Sequence, residues 1–328
     1  MKSIGIIANP SSGRDIRRLV ASGTIISNNE KANTVRRILL GLDSMGVENA
    51  YIMRDCAHIG PQAMRNLDLT LQAENLDMPM TNCQQDSTVA AKVMDEMGVA
   101  CIIVLGGDGT NRVVAKGCGN TPLLSISTGT NNAFCEMVEG TLVGLGAAVL
   151  ALGIVEVEMV TDQMPILELW NGSQLLDIGL VDLVVSSMEH IGSRAIWDET
   201  TLEEVFLTRS EPGTIGFSSL GWHLHPIKPL EPKGLHILLG EGAYRVKAAI
   251  APGLIRDISI RDYRLLEVGQ AAKIEPRQGV IALDGEREHT MTENDNISIR
   301  YNPNGPRVVN LTKALEAASG SPYFIKRQ

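Results

Sequence analysis

The sequence predicts an α/β fold in which an N-terminal layered α/β domain is followed by a β-rich, mostly antiparallel C-terminal domain. Over the first 150 residues, short apolar runs alternate with segments of helical spacing. One of these runs, "VACIIVLGG", is apolar throughout and reads as a strand buried on both faces, as in a parallel sheet. Beyond about residue 155 the rhythm becomes short strand-like segments separated by turns. At 328 residues the chain is long for one core, and domains at 1–150 and 151–305 are expected.

Each element has its own justification. Ile4–Ala8 is β-branched and ends at NPSSG. Asn28 to Gly46 places Val35, Ile38, Leu39 and Leu42 on one helical face and stops at glycine. Ala50–Met53 and Leu67–Leu71 are candidate strands, and Asp86–Met97 is a helix capped by Asp86 or Ser87. The strand ending at Gly106-Gly107 precedes a helix starting near Thr110, and "NTPLLSIS" supplies the next strand. "GTLVGLGAAVLALGIV" carries no charge but falls short of the roughly 18 residues of a membrane span, so it is expected to be a buried helix. In the second half, "MPILELW", "QLLDIGLVDLVVSS", "GLHILLG", "YRVKAAIA", "RDISIRDYRLLEV" and "NISIRY" read as strands, while Glu189–Arg209 is mixed and reads as a helix candidate. No glycine/serine linker separates the halves, so a cleft between them is the expected ligand site.

A net charge of −9 argues against a nucleic-acid partner, which would need a basic face, but leaves room for an anionic small substrate. Five scattered cysteines without a CxxC pair fit reduced thiols in a cytoplasmic protein. The N-terminus reads directly as a strand rather than a secretory signal.

Four turns carry candidate chemistry. In "VLGGDGTNRV", Gly106, Gly107 and Gly109 let the backbone approach an anion, and the helix start at Thr110 adds unpaired amide donors. Asp108 suits a helix cap, and equally a metal anchor or the acceptor of a hydroxyl proton. Arg112 stands where a dinucleotide fingerprint would have its third glycine. "NPSSG" follows the first strand, with Arg14, Arg17 and Arg18 behind it. "STGTNNAF" clusters Thr128, Thr130, Asn131 and Asn132, or is a polar loop capping the helix behind it. "ALDGERE" sets Asp284 and Glu286 either side of Gly285, or is a hairpin turn. His223 and His225 would share one face if they lay on a strand, with His190 as a third histidine, but no further ligand is close in sequence. Trp170, Trp197 and Trp222 suit a core or a cleft wall.

Taken in order, NPxSG after the first strand, GGDGT, GT-x-N twenty residues later and a late DGE resemble the superfamily of diacylglycerol, sphingosine and NAD kinases. The stretches "ANPSSGRDIRRLV", "NNEKANTVRRILLGL", "GTNNAF" and "SRAIWD" look closest to its NAD-kinase-like branch from acetoin-catabolism clusters, the acetoin catabolism protein X family. The resemblance implies a nucleotide-binding first domain, to which residues 306–328 return, and an acceptor-substrate domain at 151–305. It implies that Asn9, Ser12, Gly13, Gly106, Gly107, Gly109, Thr110, Thr130, Asn132 and Asp284 hold the nucleotide. It implies catalytic roles for Asp108 and Glu286, with Asp108 also anchoring a metal.

Departures accompany the match. Ala133 and Val113 replace acidic residues of the lipid kinases, and "DIGLVDLVVSSMEH" has no Asn-Glu pair of the NAD-kinase kind. The expected protein is an ATP- and Mg2+-dependent kinase-like transferase acting on a hydroxyl of a small molecule or nucleotide. It would be cytoplasmic and homo-oligomeric, with no nucleic-acid partner and no membrane span. The alternative is a nucleotide- or NAD(P)-binding accessory protein without transferase activity.

Overall fold

A computed structural model describes residues 2–12, 22, 26–129, 132–188, 199–275 and 277–325. Strands β1 (Ser3–Ala8), β2 (Asn49–Ile52), β3 (Gln72–Asn75), β4 (Ile102–Gly106), β5 (Leu123–Ser127) and β6 (Thr161–Gln163) belong to one sheet. Helices α1 (Asn28–Met45), α2 (Ile59–Met64), α3 (Gln85–Glu96), α4 (Asp108–Ala115), α5 (Gly140–Ala151) and α6 (Val157–Val160) punctuate them. Then come β7 (Ile166–Asn171), β8 (Gln174–Gly179), β9 (Asp182–Ser186), β10 (Leu202–Leu207), α7 (Ser218–Leu224), β11 (Lys233–Ala251) and β12 (Leu254–Glu267). The chain closes with β13 (Ala271–Lys273), β14 (Gly279–Leu283), β15 (Glu286–Met291), β16 (Ile297–Asn302), β17 (Arg307–Val309) and α8 (Leu311–Ala318).

The first sheet runs β3-β2-β1-β4-β5-β17-β6, with β1 to β5 paired in parallel. Its central strands β1, β4 and β5 are buried along their whole length, as in a sheet covered on both faces. Helix α1 starts where the Ser27 hydroxyl accepts from the Glu30 amide at 3.1 Å and ends at Gly46, whose φ of 83° suits glycine. Its apolar stripe packs on α5, and Gly144 is required there, since a Cβ would lie 2.4 Å from the Ile38 carbonyl oxygen. The uncharged segment is thus a helix lying against α1, and no helix among the described residues is long and apolar enough to cross a membrane.

The second half forms two antiparallel sheets, ordered β12-β11-β10-β9-β14-β15 and β13-β16-β7-β8. Phe206, Leu183, Ile281, Leu169 and Ile299 fill the layer between them. The other face of the larger sheet buries Val205, Leu235 and Ile260 beneath Leu220 of α7. After leaving β16 the chain rejoins the first sheet, where β17 pairs in parallel with β5 and Val309 and Ala314 enter the first core. The α/β layer followed by a β-rich antiparallel region is the fold class that the sequence predicts.

Several local expectations change. Leu67–Leu71 is a turn, because Asp43 Oδ1 accepts from the amides of Thr70 and Leu71, each at 2.8 Å, and the strand begins afterwards at Gln72. Asp86 accepts from Thr81 and Asn82 instead of capping α3. Helix α4 starts at Asp108, two residues early, and "GLHILLG" and "YRVKAAIA" join into one long strand, β11. Leu202–Leu207 is strand rather than helix, while 189–198, including "SRAIWD", His190 and Trp197, lie outside the described residues. His223 is helical and His225 follows that helix, so no strand aligns them, and no metal-holding cluster of His, Cys, Asp and Glu is found among the described residues. Trp170 stacks under Arg300 at 4.7 Å and Trp222 against His223 at 3.6 Å, both only half-buried.

Candidate functional site

In the first sheet the chain goes from β1 outward to β2 and from β4 in the opposite direction to β5. The carboxyl ends of β1 and β4 are adjacent, with Ala8 in register with Leu105. The crevice outside such a reversal of strand order is where open α/β sheets bind ligands. The NPSS turn leaves β1 there, GGDGT leaves β4, and the 127–135 loop leaves β5.

The turns interlock through side chains. Asn9 Nδ2 donates to Thr110 Oγ1 at 2.9 Å, and the Ser12 and Thr128 hydroxyls lie 2.8 Å apart. Asn132 accepts from the Asp108 amide at 3.2 Å and donates to the Ser127 hydroxyl at 2.7 Å. Gly13 and Thr130 lie outside the described residues, as do Arg14, Arg17, Arg18 and Asn131. The glycines of GGDGT are needed for close approach. A Cβ on Gly106 would lie 2.4 Å from Thr110 Cβ, one on Gly107 would lie 2.8 Å from Asn132 Oδ1, and one on Gly109 would lie 3.3 Å from the Glu286 carboxylate.

Asp108 is the first residue of α4 but does not cap it; Gly107 occupies the cap position. Its carboxylate reaches across to the 127–135 loop, accepting from the amides of Ala133 at 2.8 Å, Phe134 at 3.0 Å and Cys135 at 3.4 Å. The loop therefore holds Asp108 instead of capping a following helix, and α5 is capped separately by Glu139. Burial raises the Asp108 carboxyl pKa above its ordinary value, although these amides and the Arg209 charge pull it down. Arg209 is buried against the Phe134 ring and donates to the Ala133 carbonyl at 3.3 Å.

The DGE segment is both a hairpin and part of this site. Asp284 and Gly285 turn from β14 into β15 with φ of 49° and 77°, the left-handed pair of a tight hairpin. The Asp284 carboxylate accepts from Leu180, Val181 and Asp182 amides, the shortest bond being 2.7 Å to Val181. Burial lifts its pKa to about 6 and the nearby Asp108 charge adds to this, while Arg112 and the amides oppose it. Asp108 and Asp284 line one small pocket with Ala133, Val181 and Phe217. Glu286 stands beside Gly109, outside that lining.

Two cations that the motifs did not single out as site groups organise the arrangement. Lys31 is fully buried, and its ammonium donates to the carbonyls of Asn9 at 2.9 Å and Ser12 at 3.0 Å, fixing the NPSS turn from α1. A lysine at the head of the Val35–Ile38–Leu42 stripe was the available signal. Arg112, also fully buried, meets Asp177 at 3.0 Å, Glu288 at 2.9 Å and Asp284 at 3.7 Å. It ties the GGDGT helix to three strands or turns of the β-rich half. Lys116 at 2.5 Å and His289 at 3.2 Å complete the set around Asp177.

This arrangement can hold an anion at three turn backbones and place two carboxyls of unequal environment beside it. Among the described residues no group of three His, Cys, Asp or Glu side chains is placed to hold a metal ion, and both Asp108 oxygens accept amides.

Residues 4–151 match the ATP-NAD kinase N-terminal domain family, and residues 165–304 match the acetoin catabolism protein X C-terminal domain family. The acetoin catabolism protein X of Cupriavidus necator is 38% identical over 329 residues, covering 96% of this chain and 92% of the relative. A NAD-kinase-type first domain, a matching second domain and identity across almost the whole length place this chain in the acetoin catabolism protein X family.

Proposed function

We propose that this protein binds a nucleotide by its phosphates at the β1/β4 strand-order reversal and transfers a phosphoryl group to a hydroxyl of a small molecule or nucleotide, in connection with acetoin catabolism. The observation that carries the reading is the meeting of the NPSS, GGDGT and 127–135 turns at that reversal. Gly109 and Thr110 offer helix-start amides to phosphate oxygens, while Lys31 and Asn9 keep the first turn in place. ATP is the proposed donor. The acceptor oxygen attacks its γ-phosphorus, the bond to the bridging oxygen breaks to release ADP, and the hydroxyl proton passes to Asp108. Burial makes Asp108 a better proton acceptor than an exposed aspartate. Glu286, beside Gly109, is proposed to orient the acceptor, and Asp284 to fix the opposite wall. Magnesium would enter with the nucleotide, held by its phosphates.

A second reading is nucleotide binding without transfer, as an accessory protein. The engagement of both Asp108 oxygens by backbone amides favours it, because a committed carboxylate is a poorer base. Calorimetry with ATP, NAD and NADP, followed by a phosphate-transfer assay on a panel of hydroxylated metabolites, separates the two. On the transferase reading, Asp108→Asn abolishes turnover while ATP affinity stays within about tenfold, or ~1.4 kcal/mol. Wild-type turnover in that variant overturns the role of Asp108, and tight binding with no turnover on any acceptor selects the accessory reading. A cytoplasmic setting belongs to the same proposal, supported by five free cysteines, and a homo-oligomeric state is proposed with it on the family resemblance.

A further inference from the structure

The β-rich half has a second cavity, of about 380 Å³, open to solvent and lined by residues of β10, β11, β12, β13 and the segment after β13. Its volume falls in the range of roughly 300–1,000 Å³ found for small-molecule sites. Its ionic residues are arranged in two tiers.

The deeper tier centres on buried His236 and Glu204. His236 stacks on Phe206 with ring centroids 4.0 Å apart, and its Nε2 lies 2.8 Å from Glu204 Oε2. Arg264 Nε donates to His236 Nδ1 at 3.0 Å. An arginine N–H can only donate, so Nδ1 must be bare and Nε2 must carry the proton that goes to Glu204. The imidazole is therefore neutral and held in one tautomer. The other Glu204 oxygen accepts from Arg277 Nη2 at 2.8 Å, and Arg277 Nε also lies 2.6 Å from Glu203. Glu203 and Glu204 are thus taken up by Arg277 and His236.

The outer tier is cationic. Arg264 is anchored through Nε to a neutral ring, so among the described residues no carboxylate meets its guanidinium, and its two terminal nitrogens remain available. Arg261 and Lys273 line the same cavity without an ion-pair partner among the described residues. Against these three cations the lining leaves Glu275 as its remaining acid, in a protein whose net charge is −9. Leu238 and Leu239 give the cavity an apolar wall. A guanidinium whose orientation is fixed from behind by a buried histidine is organised for two parallel bonds to an oxyanion.

We propose that this cavity is a second ligand site that takes a small organic oxyanion, a phosphate ester or a carboxylate. Its head would lie on Arg264, Arg261 and Lys273 and its apolar part against Leu238 and Leu239. The site is formed by residues other than those of the nucleotide crevice and does not depend on the transferase reading.

The test is titration calorimetry of the full chain with phenyl phosphate, benzoate and inorganic phosphate as probes, alongside ATP. The expected result is saturable binding of at least one organic probe. Its dissociation constant should rise at least tenfold in Arg264→Gln and in Arg261→Gln, while ATP affinity stays unchanged. Tighter binding of phenyl phosphate than benzoate identifies phosphate esters as the source, and the reverse order identifies carboxylates. His236→Phe keeps the stacking but removes the nitrogen that holds Arg264, and should weaken the same probe without abolishing it. Arg261 and Lys273 are surface residues, so Arg261→Gln and Lys273→Gln keep the test valid should Arg264→Gln unfold. The proposal is overturned if no probe binds below 10 mM, a limit of about −2.7 kcal/mol. It is also overturned if affinities are the same in the Arg261 and Lys273 variants as in the parent protein.

Discussion

Replacing Arg112 with methionine should separate the GGDGT helix from the β-rich half, and the structure sets the size and pH dependence of the effect. The guanidinium is fully buried and faces Asp177, Glu288 and Asp284 at 3.0, 2.9 and 3.7 Å. Removing one partner from a buried ionic set typically costs about 3–5 kcal/mol, because charge is left uncompensated. Here each acid keeps other partners: Lys116 and His289 for Asp177, Gln84 for Glu288, and three amides for Asp284. The loss should therefore lie near the lower end, about 3 kcal/mol at pH 8, out of a total stability of roughly 5–15 kcal/mol. Asp284 fixes the pH dependence. Its folded pKa is raised from 3.8 to about 6, so the stability it contributes is fully present below 3.8 and is lost as pH rises through about 6. Arg112 opposes that rise, so the variant should hold the Asp284 proton to still higher pH. Urea unfolding of parent and variant at pH 8 and pH 5.5 should then show a difference that narrows on acidification by about 1 kcal/mol or more. A difference below about 1 kcal/mol at pH 8, or one that does not change with pH, would refute the assignment of Arg112 as the tie.

Gly106→Ala should lower stability by about 1–3 kcal/mol, since the new methyl meets Thr110 at 2.4 Å within one turn; a melt unchanged to within a degree would contradict this. Gly109→Ala meets only the tip of Glu286 at 3.3 Å, so stability should hold within about 1 kcal/mol while ATP affinity drops as the methyl blocks close backbone approach to phosphate, measured by calorimetry. Lys31→Met should release the NPSS turn and weaken ATP binding about tenfold or more, a loss of ~1.4 kcal/mol that equal titration curves would exclude. In the native protein Cys56 and Cys83 should react rapidly with a disulfide reagent. Cys101 and Cys118, whose pKa values burial pushes up to about 12, and Cys135, raised well above 9.0, should react only after unfolding; more than two fast thiols in a stopped-flow count would be the wrong outcome.

The fold was most legible where burial on both faces made the pattern unambiguous. Strand β4 and helix α1 are recovered nearly to their ends, because an all-apolar run and a stripe closed by Gly46 leave few alternatives. Leu67–Leu71 looked like a strand because it is apolar at alternate positions, but Asp43, distant in sequence, takes its amides and turns it. The segment ending at Arg209 read as mixed because Glu203 and Glu204 break a strand pattern; both acids are consumed by a cluster of His236 and Arg277 that local reading does not see. Polar residues with distant partners were the common source of error.

The same reason explains what the motifs revealed of the candidate site. The glycine turns were visible because close approach demands glycine whatever the partner. Asp108 was visible too, but its contact was not: capping α4 and serving as a free acid were the readings open to it, whereas its carboxylate ties the β5 loop to the β4 turn. Both oxygens of this buried carboxyl are engaged by amides. Ala133 donates to Oδ2, and Phe134 and Cys135 donate to Oδ1, so a proton on either oxygen sets an O–H donor against an amide donor. If Asp108 takes a proton from an acceptor hydroxyl, one of these bonds must loosen at that moment. On the transferase reading, proton transfer to Asp108 therefore weakens the bonds by which it holds Ala133, Phe134 and Cys135.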